Sequence, residues 1–113
     1  AFAFDAKALV WSLDGIALGF HLQLRPIERM FFYLPLEHSE SLAHQERCVE
    51  LFSALAQSVG ESQREPFMEY LSFAERHRDV IKRFGRFPHR NEIFGRESTL
   101  EELAFLKEPG SSF

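Results

Sequence analysis

Residues 66–85 read Pro66-Phe67-Met68-Glu69-Tyr70-Leu71-Ser72-Phe73-Ala74-Glu75-Arg76-His77-Arg78-Asp79-Val80-Ile81-Lys82-Arg83-Phe84-Gly85. Phe67, Tyr70, Ala74, Ile81 and Phe84 recur at the three- and four-residue intervals that line up one side of an α-helix. Pro66 suits a first turn, where its missing N–H has no partner to lose, and Gly85 suits the left-handed residue that stops a helix. This long helix sets the fold class, and no other stretch alternates with period two, so no sheet is expected.

Towards the N-terminus, a polar break at Glu61 to Glu65 separates this helix from a third one. That helix is expected to be capped by Ser39, with Glu40 and Glu46 toward its positive end and Leu42, Val49, Phe52, Ala56 and Val59 inward, ending at Gly60. A second helix starts at Pro26 and carries Ile27, Met30, Phe31 and Leu34. Phe32 and Tyr33 widen its stripe, so it is expected to be central, with Pro35 ending or kinking it. A first helix spans Ala6 to Leu18, capped by Asp5 and stopped by Gly19, with Ala6, Leu9, Val10, Leu13 and Ala17 on one face. On the C-terminal side, Pro88, Asn91 and Gly95 make Arg86 to Arg96 a structured loop. Ser98 and Glu101 have capping-box spacing for a last helix through Leu106, and residues 109–113 read as a loose tail.

The expectation is an all-α fold of about five helices, built from antiparallel neighbours and forming one domain over residues 1–113, a length that suits a single core. The first and third helices start 35 residues apart, at Asp5 and Glu40. That is close to the ~34-residue period of helix-turn-helix repeats, but the tetratricopeptide consensus positions are not met. Stacked helical hairpins and an irregular bundle both stay open. With 13 Phe, the core is expected to be rich in phenylalanine. The longest apolar run, Met30 to Leu36, contains Pro35 and is far short of the ~20 residues that cross a bilayer. A lone Cys48 on a helical pattern and the lack of a basic leader point to a reducing compartment, most simply the cytoplasm.

Two stretches carry a resemblance: Glu28-Arg29-Met30-Phe31-Phe32-Tyr33-Leu34-Pro35-Leu36-Glu37-His38-Ser39-Glu40, and the run from His77 through Phe84-Gly85-Arg86-Phe87-Pro88-His89-Arg90-Asn91 to Arg96-Glu97-Ser98-Thr99. The second closely resembles the signature of the bacterial family known as domain of unknown function 924, and the likeness extends over nearly the whole chain. It implies an all-α fold of tetratricopeptide-like type and no established activity. Members of that family usually have a further N-terminal helical portion, with an Asp-Gln-Phe-Pro-Arg-Asn segment echoed here by Phe87 to Asn91, so the chain resembles a shortened member. Leu100 stands where the family pattern has Pro, a change confined to the first turn of the last helix. Helices that normally pack on an N-terminal portion would show an apolar face to water, and such faces tend to find a partner. Self-association through the first or second helix is therefore expected.

Charge is the strongest chemical feature. Between Arg76 and Arg96 lie seven Lys or Arg against Asp79 and Glu92, a local excess of five positive charges on a chain of net charge −4. Such a strip can receive a phosphate or carboxylate, and arginine offers a planar fork for either. The favoured reading of the strip is that Arg86, Arg90 and Arg96 tie the loop to acidic helices and loop carbonyls. Nucleic acid is not expected, given the overall negative charge. His77 falls among apolar residues, where it is either a core histidine or a general base. If the fold brings them together, His38, His77, Arg86, His89, Arg90 and Asn91 are the candidate ligand site for an anionic small molecule, with a hydrolytic role as one form of it. Metal binding and a cofactor are not expected, because there is no cluster of ligands at suitable spacing. The favoured expectation is a module that binds a protein partner or a second copy of itself.

Overall fold

The computed structural model describes residues 2–112, with side chains from residue 6. Five α-helices follow one another: α1 (Phe2–Ala17), α2 (Pro26–Glu37), α3 (Leu42–Ser58), α4 (Arg64–Phe84) and α5 (Leu100–Leu106). Short 3-10 turns stand at Phe20–Gln23, Glu61–Gln63 and Pro88–Arg90, and the described residues include no strand. No helix among them is long and apolar enough to cross a membrane. Each of the first three helices packs on the next, α1 on α2, α2 on α3 and α3 on α4, as short links between hairpin partners require. The thinnest dimension is 21 Å, two helix diameters, so most helices keep one face on water.

Met30, Tyr33 and Leu36 of α2 meet Cys48, Leu51, Phe52, Leu55 and Ala56 of α3, with Phe67 and Ala74 of α4 closing the core. A smaller cluster joins Val80, Ile81 and Phe87, with Phe84 and Phe105 against it. Phenylalanine is less dominant inside than its abundance suggests: of the described side chains, Phe52, Phe67 and Phe87 are buried, while Phe20 and Phe31 are mostly exposed. The α1–α2 contact depends on a bare backbone. A Cβ on Gly15 would stand 2.5 Å from the Phe32 ring, and Ser12 Oγ donates to Phe32 O at 2.8 Å beside it.

Several local expectations shift. α1 starts at Phe2, so Asp5 stands within it, and the Asp5 side chain is outside the described residues. Val10 and Ala17, expected inward, face water, because Ser12, Gly15 and Ile16 make the contact side. In α2, Ile27 and Phe31 are exposed, and the helix continues through Pro35 to Glu37. A proline near the end of a helix removes one donor but leaves the following turn free to form. Ser41, not Ser39, caps α3, which leaves Glu40 outside the helix. Thr99 with Glu102, one residue later than expected, forms the capping box of α5, and Leu100 is its first residue, 87% exposed. Gly85 ends α4 with φ 73°, as its position demands. Residues at the C-terminal tail fold back: Ser111 is buried and donates to Leu106 O, and Gly110 O accepts from Arg76.

Candidate functional site

The loop between α4 and α5 is held by two carboxylates. Glu40, at the α2–α3 turn, accepts Arg96 Nη1 at 2.9 Å, Arg96 Nη2 at 3.1 Å and the Phe87 N–H at 2.7 Å. Burial works against its charge, but these bonds outweigh burial and hold the carboxyl below its ordinary range. Glu102, buried in the first turn of α5, accepts Arg86 through both oxygens at 2.7 and 2.8 Å. That fork, opposed by burial and helped by the Thr99 N–H, draws the Glu102 carboxyl down to about 2. Arg86 also donates to Glu97 O at 2.7 Å. Asn91 is fully buried: its Nδ2 donates to Ser98 Oγ and its Oδ1 accepts Arg96 Nε, both at 3.0 Å.

The expected site therefore divides. Arg86 and Asn91 are absorbed by internal networks, and Arg86 faces a surface depression with Thr99, Glu101 and Glu102, apart from the histidines. His77, His89 and Arg90 gather around Phe87, with ring centroids 5.7 Å (His77) and 5.8 Å (His89) from it and the Arg90 guanidinium 4.7 Å over its face. Both His38 and His89 press on the charge of His77, so His38 belongs to the same region. His38 and Arg90 line an open cleft of about 220 Å3 together with Ser39, Glu40, Pro35 and Phe94.

His77 is buried, with Nδ1 2.8 Å from Phe73 O. Burial, only partly offset by that bond, lowers its pKa to about 4, so the ring is neutral at physiological pH. Burial likewise lowers His89, with Arg90 adding to it. Beside His77 stands a carboxyl that periodicity did not single out, Glu37, 3% exposed at the last position of α2. Burial raises it to about 7. Glu37 Oε1 is 4.0 Å from His77 Nδ1, too far for a hydrogen bond, and that nitrogen is engaged by Phe73; with the ring neutral, the two form no ion pair. Below them, fully buried Gln45 donates to the carbonyls of Glu37 at 2.6 Å, Ser39 at 2.7 Å and Leu36 at 3.3 Å, closing the open end of α2 and positioning Glu37 and His38. Glu37 and Glu40 both occur in the quoted signature, but only spatial proximity separates the buried acid from the paired one. Among the described residues no group of three or more His, Cys, Asp or Glu is placed to hold a metal ion.

Residues 1–110 match the model of a bacterial family described as protein of unknown function (DUF924). No curated protein matches the chain. Among solved structures, the protein of unknown function ATU0120 from Agrobacterium tumefaciens is 40% identical, with a TM-score of 0.79 over 94% of this chain and 54% of that one. The chain thus spans about half the length of that relative.

Proposed function

The chain belongs to the bacterial family of unknown function DUF924, and from that footing we propose that it is a helical interaction module whose α1–α2 face packs against a second copy of the chain. One observation carries the reading. Val10, Trp11 and Leu18 of α1 are 54%, 67% and 72% exposed, and with Ala17 they form one helical face that also carries Lys7 and Asp14. Phe20 and Leu22 continue it through the following 3-10 turn, and Phe31 of α2 is 63% exposed. Apolar patches of this kind are rare on monomers and mark association surfaces. A mainly apolar face that carries one Lys and one Asp can meet its own copy about a two-fold axis, the commonest symmetry of oligomers, with Lys7 of each copy near Asp14 of the other.

Trp11 is the single tryptophan, so it reports on its own surface. Light scattering over a concentration series is expected to show a dimer, with iodide quenching of Trp11 falling as the dimer forms. Trp11→Glu and Leu18→Glu, at exposed positions, are expected to leave the helical signal intact and give a monomer. A wild-type chain that stays monomeric at about 1 mM, where even weak dimers associate, overturns the proposal.

Anion binding is a second reading, favoured by the cleft that joins His38, Ser39 and Arg90, although Glu40 on its wall opposes an anion. In this reading Arg86→Ala leaves binding of inorganic phosphate unchanged, since Arg86 faces a different depression. Stabilisation by phosphate in a thermal-shift assay, lost in Arg90→Ala, is its test. The buried free thiol of Cys48 supports a reducing, cytoplasmic setting.

A further inference from the structure

Between α2, α3 and α4 lies a second cleft of about 260 Å3, lined by Met30, Leu34, Glu37, His38, Phe52, Tyr70 and Phe73. Its walls are aliphatic and aromatic; its one carboxyl is that of Glu37, whose side chain is 4% exposed. Among the described residues nothing donates a hydrogen bond to that carboxyl, and the nearest ring nitrogen stands 4.0 Å away. The titratable groups packed around it are His77 and Tyr70 from α4, Cys48 from α3, and His38 next in the chain. The nearby guanidinium, Arg76, is turned aside: it lies 5.3 Å over the Phe73 ring and donates to Gly110 O. A buried carboxylate without a donor or a cation is costly, so the group either keeps its proton, as burial makes Glu37 do below about pH 7, or meets a partner of opposite charge.

We propose that this cleft binds a small organic cation, a primary or substituted ammonium on an apolar or aromatic body, with its charge on Glu37 and its body against Met30, Leu34 and Phe52. Phe73, 42% exposed, rims the mouth, and its ring already holds one cation on its surface. Aromatic faces attract ammonium groups through their quadrupole, which selects a cation on an apolar body over a neutral ligand of the same shape. At about 260 Å3 the cleft is just below the usual range for small-molecule sites, about 300–1,000 Å3, and suits a ligand no larger than one ring with a short ammonium arm. A metal ion does not suit the cleft, since one carboxylate among apolar walls is too few ligands. Because burial keeps Glu37 protonated up to about pH 7, binding a cation expels that proton, and affinity rises with pH until Glu37 is ionised in the free protein. The site lies apart from the exposed α1 face, so it stands or falls independently of self-association.

The test uses the whole chain and three probes of one shape: phenethylamine, phenethyl alcohol and phenylacetate, titrated by calorimetry between pH 5.5 and 8. Phenethylamine is expected to bind at pH 8 with a dissociation constant on the order of 1 mM, weakening about tenfold per pH unit below 7 and releasing a proton. The alcohol is expected to bind at least about tenfold more weakly and without pH dependence, and the acid not to bind. Glu37→Gln, folded by circular dichroism, is expected to lose the preference for the amine. If that variant does not fold, the wild-type pH profile and the amine-to-alcohol ratio decide alone. No saturable binding of the amine at pH 8, a flat pH profile, or equal affinity for amine and alcohol overturns the proposal.

Discussion

Removing the Arg96 guanidinium is expected to unlock the loop between α4 and α5. It reaches across 56 residues of sequence to Glu40 with two hydrogen bonds and also donates to Asn91 Oδ1 and Phe87 O. In Arg96→Ala, Glu40 keeps only the Phe87 N–H, and buried Asn91 loses the donor to its oxygen. Hydrogen bonds to a charged group contribute about 1.5–3 kcal/mol and an orphaned buried acceptor costs about 1–3 kcal/mol. Both Arg96 and Glu40 are about a quarter exposed, at 25% and 27%, so water recovers part of this. The expected net loss is roughly 3 kcal/mol, a large share of the ~5–15 kcal/mol that holds a domain together. At about 4 °C per kcal/mol for a domain of this size, Tm falls by about 12 °C. Urea denaturation followed by circular dichroism measures it, with Arg78→Ala as control: Arg78 pairs with its neighbour Asp79, which is 63% exposed, and the expected change is within about 0.5 kcal/mol. A double-mutant cycle with Glu40→Gln is expected to show coupling above 1 kcal/mol. Losses that add to within about 0.5 kcal/mol, or an Arg96→Ala loss below about 1 kcal/mol, would show that the ion pair does not hold the loop.

Glu37 and His77 are expected to give stability opposite dependences on pH. Folding raises Glu37 from 4.5 to about 7, so its proton stabilises the fold below pH 4.5 and that stability is lost as pH rises to 7, by roughly 3 kcal/mol. Glu37→Gln, always neutral, is expected to gain about that much on the wild type between pH 4.5 and pH 8 in urea titrations; a constant difference across that range contradicts an ionisable buried Glu37. His77 is lowered from 6.5 to about 4, so the stability of its neutral ring is lost as pH falls from 6.5 to 4, and His77→Gln is expected to flatten that limb. Gln45→Leu leaves the Glu37 and Ser39 carbonyls without their donor, while Leu36 O keeps the Ser39 N–H, and is expected to cost about 2–4 kcal/mol by urea denaturation, where a loss under 1 kcal/mol argues against the cap. Leu100→Pro is expected to be neutral or to raise Tm by a few degrees, because Leu100 is exposed at the first position of α5; a fall of several degrees rules out that placement.

Much of the fold is legible from local rules, since helix periodicity, Gly85, Pro26 and Pro66 act within a few residues of themselves. Five helices and their order follow from the chain alone, and so does the family, because the run from His77 to Thr99 is long and specific. The caps of α3 and α5 stand one or two residues beyond Ser39 and Ser98, at Ser41 and Thr99, because neighbouring hydroxyls qualify equally. Only tertiary contact chooses between them, by taking Ser98 for Asn91 and Glu40 for Arg96. The site divides along the same line. Composition showed a basic strip but not which arginines were already engaged, and it could not distinguish Glu37 from Glu40, three residues apart in one turn region. The fold places one against Arg96 and the other in an apolar cleft without a donor, and a carboxyl's charge is set by what surrounds it in space, not by its neighbours in sequence.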